Sequence, residues 1–125
     1  MKKLIFAFLL CFTSCGDVYR QYSLIIDNRT DDTIRVVFSE GPYAILNPEF
    51  LIFPPKQEKI LFLTEKNATR DGCGYIWITK GDVAVYASSG RELQKEIWNA
   101  DNWECRGSYQ RGWEHKFVVT EDDLE

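Results

Sequence analysis

The chain has 125 residues, 45% of them hydrophobic and 27% charged, with a formal net charge of −4 at pH 7. That length suits one compact domain and not two. The acidic balance argues against nucleic acid as a partner and against electrostatic docking on anionic lipid, so a lipid anchor must supply any membrane affinity.

The N-terminus carries the grammar of an export signal. Lys2 and Lys3 form a positive start, residues 4–12 are an apolar run, and the small residues Thr13 and Ser14 precede Cys15. The run is about half of the ~20 residues needed to span a bilayer, so a permanent transmembrane helix is not expected. Phe12-Thr13-Ser14-Cys15 resembles a lipobox, in which a bacterial lipoprotein signal is cut just before the cysteine that carries a diacylglycerol. Phe12 departs from the usual Leu, and Cys11 is a poorer candidate because the bulky Leu10 precedes it. The alternative is an ordinary cleaved signal with Cys15 incidental. The expected division is therefore a signal peptide over residues 1–14, a lipidated tether over 15–22 and a β-sandwich domain over 23–125. The partner implied at this end is the membrane, reached through the lipid on Cys15.

Two cysteines remain in the mature chain, Cys73 and Cys105. Export places them in an oxidising compartment, where a disulfide between them is expected; two unpaired buried thiols are the alternative. With one histidine they make a thin ligand set, so neither a metal nor another cofactor is expected.

The body of the chain reads as strands. Residues 22–27 form a first strand, and Asn28-Arg29-Thr30-Asp31-Asp32 is a dense turn signal. Residues 33–39, rich in β-branched side chains, form a second strand, and the two look like a hairpin. Pro42, Pro48 and Pro54-Pro55 punctuate the next stretch, with residues 49–53 apolar. Residues 57–64 alternate, placing Glu58, Ile60 and Phe62 on one face and Lys59, Leu61 and Leu63 on the other. Residues 75–79 and 83–87 flank Lys80-Gly81-Asp82 as a second hairpin. Ser89 and Glu92 fit a capping box, with Leu93 and Ile97 one turn apart, so one short helix near residues 90–98 is expected, with a strand pair as the alternative. The last strand, 113–120, puts Trp113, His115, Phe117 and Val119 on one face. The fold class expected is all-β, a single antiparallel β-sandwich, immunoglobulin-like or similar.

Little in the chain reads as chemistry. His115 sits between Trp113 and Phe117 on an apolar face and reads as structural; no nucleophile-elbow motif surrounds Ser88, Ser89 or Ser108. No catalytic residue is assigned and an enzyme is not expected. Trp98, Trp103, Tyr109 and Trp113 fall within sixteen residues and bracket Cys105. Such rings can stack on sugar faces, with Asn99, Asp101 and Asn102 to bond hydroxyls, or can pack a sandwich core around a disulfide; as an aromatic patch they could also anchor a protein contact. Asn28-Arg29-Thr30 and Asn67-Ala68-Thr69 match the N-glycosylation acceptor pattern, and Asp32-Thr33-Ile34 an O-glycosylation pattern of some Gram-negative bacteria; both read as coincidence.

In order, Ser14-Cys15-Gly16, Ile26-Asp27-Asn28-Arg29-Thr30, Ile97-Trp98-Asn99 with Trp103, and Phe117-Val118-Val119-Thr120-Glu121-Asp122-Asp123-Leu124 run along the whole chain. With these pieces the sequence resembles the small β-sandwich lipoproteins of unknown function found in some Gram-negative bacteria. That resemblance implies one sandwich domain on a lipid tether and transfers no site beyond the lipidated cysteine. The expected function is a non-enzymatic binding or assembly module contacting another envelope protein. The alternative is a glycan-binding accessory lipoprotein of an outer-membrane uptake system. Gly16 after the cysteine is no inner-membrane retention residue, which favours the outer membrane.

Overall fold

In the computed structural model, which describes residues 19–40, 43–44, 51–67, 73 and 76–125, the described residues form seven strands. They are β1 (Tyr19–Asn28), β2 (Ile34–Phe38), β3 (Ile52–Phe53), β4 (Gln57–Asn67), β5 (Val83–Ala87), β6 (Glu104–Ser108) and β7 (Gly112–Val119). Two sheets result, in the orders β4-β1-β7-β6 and β3-β2-β5. The expected all-β sandwich is formed. One pairing in it is parallel: β1 and β7 run side by side from Tyr22↔Trp113 to Asn28↔Val119, so the first and last strands occupy the middle of the larger sheet.

The pattern of β2 shows why the sheets close on each other. Ile34, Val36 and Phe38 are buried while Arg35 and Val37 are exposed, the period-two alternation of a half-covered strand. They face Leu24 and Ile26 of β1 and Phe117 and Val119 of β7 in one core, with Phe53 and Phe117 fully buried. Tyr43 packs on Phe38 at 4.9 Å and on Phe62 at 4.8 Å between ring centroids. In the central pair the outward residues Ile25 and Val118 are buried as well, so both faces of β1 and β7 are covered there.

Four local expectations change. First, β1 and β2 are not a hairpin. The turn over residues 28–32 carries the chain from one sheet to the other, because β4 and β7 take both edges of β1 and leave none for β2. Second, β4 does not alternate cleanly. Leu24 faces Phe62 and Ile25 faces Ile60, leaving Leu61 as an extra bulged residue. Leu61 is buried and Phe62 packs against the core, while Ile60 and Leu63 are each 49% exposed. Third, the helix over 90–98 is not formed. Glu92 and Glu125 exchange backbone hydrogen bonds of 2.8 and 3.0 Å, Gln94 donates to the Asp123 carbonyl, and Leu93 bridges Leu124. Pairing with the C-terminal segment, together with burial of Ile97, outweighs the local capping signal. Residues 76–79 likewise lead into β5 through a turn closed by Asp82 N–H on the Thr79 carbonyl, without pairing as a strand.

Cys73 and Cys105 form the expected disulfide, with Cα atoms 5.7 Å apart, and it ties the segment before β5 to the edge strand β6. The two cysteines are 32 residues apart, so in the chain-entropy account the bond stabilises the fold by roughly 3–4 kcal/mol. A Cys73→Ser, Cys105→Ser variant should lose about that much in urea unfolding, and reductant should lower the wild type to the same level. Equal midpoints with and without reductant would show that the bond constrains nothing.

Candidate functional site

Polar side chains gather at the end of the sandwich where β1 finishes. Asn28 and Thr30 are fully buried and Asp32 nearly so. The Asn28 amide Nδ2 lies 2.7 Å from the Asp32 carbonyl, 3.0 Å from that of Phe53 and 3.1 Å from that of Pro54, so its two hydrogens are shared among three acceptors. Its Oδ1 accepts from the Thr30 hydroxyl at 2.7 Å and from the Thr30 N–H at 3.1 Å. One side chain thus joins the end of β1, the turn into β2 and the β3–β4 connection. The acceptor-like Asn28-Arg29-Thr30 triplet is therefore a structural node, with its asparagine closed to modification in the folded chain.

Asp32 extends this node outward. Its carboxylate accepts from the Ser88 and Ser89 hydroxyls at 3.1 and 2.7 Å and from Arg91 Nη2 at 2.8 Å. Arg91 Nη2 also meets Glu121 Oε2 at 2.8 Å, and Glu121 Oε1 accepts from the Asp31 N–H at 2.7 Å. The Ser89 hydrogen bond, then that from Arg91, holds the Asp32 carboxyl below the usual carboxylate range. The Asp31 backbone N–H, then Arg91, does the same for Glu121, and the two carboxylates raise Arg91. These groups are spent on one another and on backbone, which fits an anchor between β1–β2, the segment after β5 and the C-terminus better than acid–base work.

The four aromatic candidates do not share a surface. Trp103 is 6% exposed, packs on Phe117 at 5.2 Å and donates its Nε1–H to the Ile97 carbonyl at 2.8 Å. Trp98 is half-buried beneath Lys80 Nζ, 5.5 Å from its ring, and lines a cleft of about 100 Å³ with Val83, Val85 and Leu93. Trp113 is half-buried in a separate cleft of about 210 Å³, and its Nε1–H is buried without a hydrogen-bond partner. Tyr109 is 42% exposed at the β6–β7 turn. A platform of coplanar rings is absent at these four positions, and Trp103 is closed to any ligand. His115 is 2% exposed, with Nε2 3.7 Å from Cys105 Sγ. Cys15 lies outside the described residues. Among the described residues no group of three or more His, Cys, Asp or Glu side chains could hold a metal ion.

The feature that sequence reasoning missed is the outer edge of β5. Ser39 N–H to Asp82 and Ser88 N–H to Thr33, both 2.9 Å, bracket the β2–β5 ladder, and its hydrogen-bonded pairs alternate between them as Arg35↔Tyr86 and Val37↔Ala84. Val83 and Val85 therefore turn their N–H and C=O groups away from β2. They find no backbone partner on the segment after residue 90. Between β5 and that segment runs a cleft of about 370 Å³ lined by Val85, Tyr86, Arg91 and Leu93, next to the smaller one at Trp98. The apolar alternation that identified β5 says nothing of which edge is left open, so no sequence signal could have found it.

No family model matches the chain, and no curated protein or solved structure is significantly similar to it.

The polar node yields two predictions. Asn28→Ala takes a donor from the Phe53 and Pro54 carbonyls and the acceptor from the Thr30 N–H in a buried site, so chemical unfolding should register a loss of roughly 3–5 kcal/mol. Asp32 and Glu121 titrate lower in the fold than in the unfolded chain. Their contribution is therefore complete above the ordinary carboxylate range and is lost as pH falls through the depressed values. The thermal midpoint should hold from neutrality to about pH 5 and decline below about pH 4, and Arg91→Leu should flatten that decline. An Arg91→Leu protein with the wild-type acid slope would mean that the ion pairs do not set it.

Proposed function

We propose that this chain is a lipid-anchored module of the bacterial cell envelope, held by a lipid on Cys15, that binds an extended segment of another envelope protein along the outer edge of β5. The observation that carries the reading is the pair of backbone units at Val83 and Val85, which point away from β2 and have no backbone partner among the described residues. Such an edge accepts an incoming strand through main-chain hydrogen bonds, while neighbouring side-chain pockets select the sequence. The three-stranded sheet would then gain a fourth strand and match its partner sheet.

The surroundings support this use. Beside the edge, the outer face of the small sheet exposes Val37 (39%), Ile52 (40%) and Tyr86 (53%), with Arg35 5.5 Å from the Tyr86 ring. Exposed apolar and aromatic side chains flanked by a guanidinium are the composition of a contact surface. The charged side chains of Arg91, Glu92, Lys95 and Glu96 rim the clefts and leave room for specificity by charge. The lipid supplies membrane affinity, at about 0.8 kcal/mol per buried CH₂, so the edge need only recognise the partner. The outer membrane is the favoured location, on the residue after Cys15.

Two experiments test the two halves of this reading. A photo-crosslinking residue at position 86 should capture a defined protein adduct in intact cells. Val85→Pro should abolish it without unfolding the domain, because the N–H that proline removes lies outside the β2–β5 ladder. Absence of an adduct, or an adduct indifferent to Val85→Pro, would overturn the edge reading. Cys15→Ser should lose incorporation of labelled fatty acid and accumulate uncut precursor; a variant that still matures and pellets with membranes would overturn the anchor.

A further inference from the structure

The strand register shows which charged side chains share each end of the larger sheet. Tyr22 faces Trp113 in the β1–β7 pair, and Ser108 faces Gly112 in the β6–β7 pair. The start of β1 and the β6–β7 turn therefore lie together. Arg20 fixes this, its Nε donating to the Tyr109 carbonyl at 3.1 Å across 89 residues of sequence. Gly112 is required at the junction: its φ is +92°, and a Cβ there would sit 2.3 Å from the Gln21 carbonyl oxygen. Asn28 and Val119 mark the opposite end, where exposed Asp31, Glu92, Glu121 and Asp122 crowd, partly offset by Arg29, Lys56 and Arg91.

The β1-start end has a different character. Arg106 and Arg111 are both exposed there, and neither forms an ion pair among the described residues. Together with Gln21, Ser23, Trp113 and Glu114 they line the cleft of about 210 Å³. Its lining thus sets two guanidiniums beside the Glu114 carboxylate, over a Trp113 Nε1–H that is buried without a partner. Tyr109, 42% exposed at the turn, supplies a ring of the kind that settles at a membrane–water boundary. The molecule is acidic in total, yet at this end of the larger sheet Arg20, Arg106 and Arg111 stand against Glu65 and Glu114.

Cys15 is four residues before Tyr19, so its Cα can lie no more than about 14 Å from the start of β1. The end that carries Arg106 and Arg111 is thus the end that the anchor holds against the bilayer. We propose that the domain stands on this end, with Arg106 and Arg111 on the phosphates of anionic lipid headgroups and Tyr109 at the interface, and presents its acidic end away from the membrane. The proposal rests on lipidation at Cys15. It also corrects the inference from net charge alone: the total of −4 opposes electrostatic docking on anionic lipid, but the anchored end carries two arginines outside any ion pair among the described residues. In this orientation β5, in the second sheet, stays clear of the lipid at its Ala87 end, which lies beside the acidic node.

The test uses the full lipidated protein in vesicles of phosphatidylcholine alone or with added phosphatidylglycerol. Hydrogen exchange is followed in the β6–β7 hairpin. Amides of the turn should exchange more slowly on the anionic vesicles at low salt, by roughly fivefold for each arginine engaged, and salt should remove the difference. Arg106→Gln with Arg111→Gln should exchange at the neutral-vesicle rate on both. Protein of lipidated mass whose turn exchanges equally on both vesicles would overturn the orientation alone. Protein without the lipid mass that floats with neither vesicle would overturn the anchor and the orientation together. Protection of the turn by inorganic phosphate without vesicles would mark a free-phosphate site and overturn the membrane reading.

Discussion

A single carboxamide holds the two sheets in their relation to each other. The Asn28 side chain donates to the carbonyls of Asp32, Phe53 and Pro54 and accepts twice from Thr30. An amide can do this because it carries donors and an acceptor on one rigid plane. In a buried site each of those bonds is costly to lose, since water cannot replace it. The chain therefore leaves the larger sheet at one defined point and enters the smaller one at another. The Asp32, Arg91 and Glu121 contacts then attach the segment after β5 and the C-terminal turn to the same node.

The architecture follows from that closure. With β1 and β7 parallel at the centre of the larger sheet, the chain brings its last strand back beside its first, and both faces of the pair are covered at the node end. The edge strand β6 is crossed by the disulfide, and at β3 the Ile52 carbonyl accepts from Lys59 at 2.9 Å. At β5 the comparable groups on Val83 and Val85 have no such cover among the described residues. The position after Ala87 explains why. The chain turns out through Ser88 and Ser89 to reach Asp32, and from there it pairs with residues 123–125 in place of the edge it has just left. The node that joins the sheets is thus the cause of the open edge, which links the stability of the fold to the function proposed for it.

Much of this was legible in the residues. Strands β1, β2, β4, β5 and β7 lie where apolar alternation and turn signals placed them, and counting cysteines after export predicted the disulfide. Pairing was less legible. Asn28-Arg29-Thr30-Asp31-Asp32 announces a turn, but only the pairing of β4 and β7 with both edges of β1 decides that it crosses between sheets. Ser89 and Glu92 spell a helix start whose hydroxyl is claimed by Asp32 and whose backbone is claimed by the C-terminus. Glu104-Cys105-Arg106-Gly107-Ser108 has no strand-like alternation, and β6 forms because β7 offers it a ladder. The tryptophans cluster in sequence but scatter between the core and two clefts, since consecutive elements here belong to different surfaces.

The claim that organises the functional account is that the β5 edge is filled in the cell. Hydrogen exchange at the Val83 and Val85 amides reads this directly, compared between purified lipidated protein and the same protein in native membranes. The account predicts fast exchange at both amides in the purified protein and strong protection in native membranes, with the Val37 amide of the β2–β5 ladder unchanged. Equal exchange at Val83 and Val85 in the two preparations would contradict it.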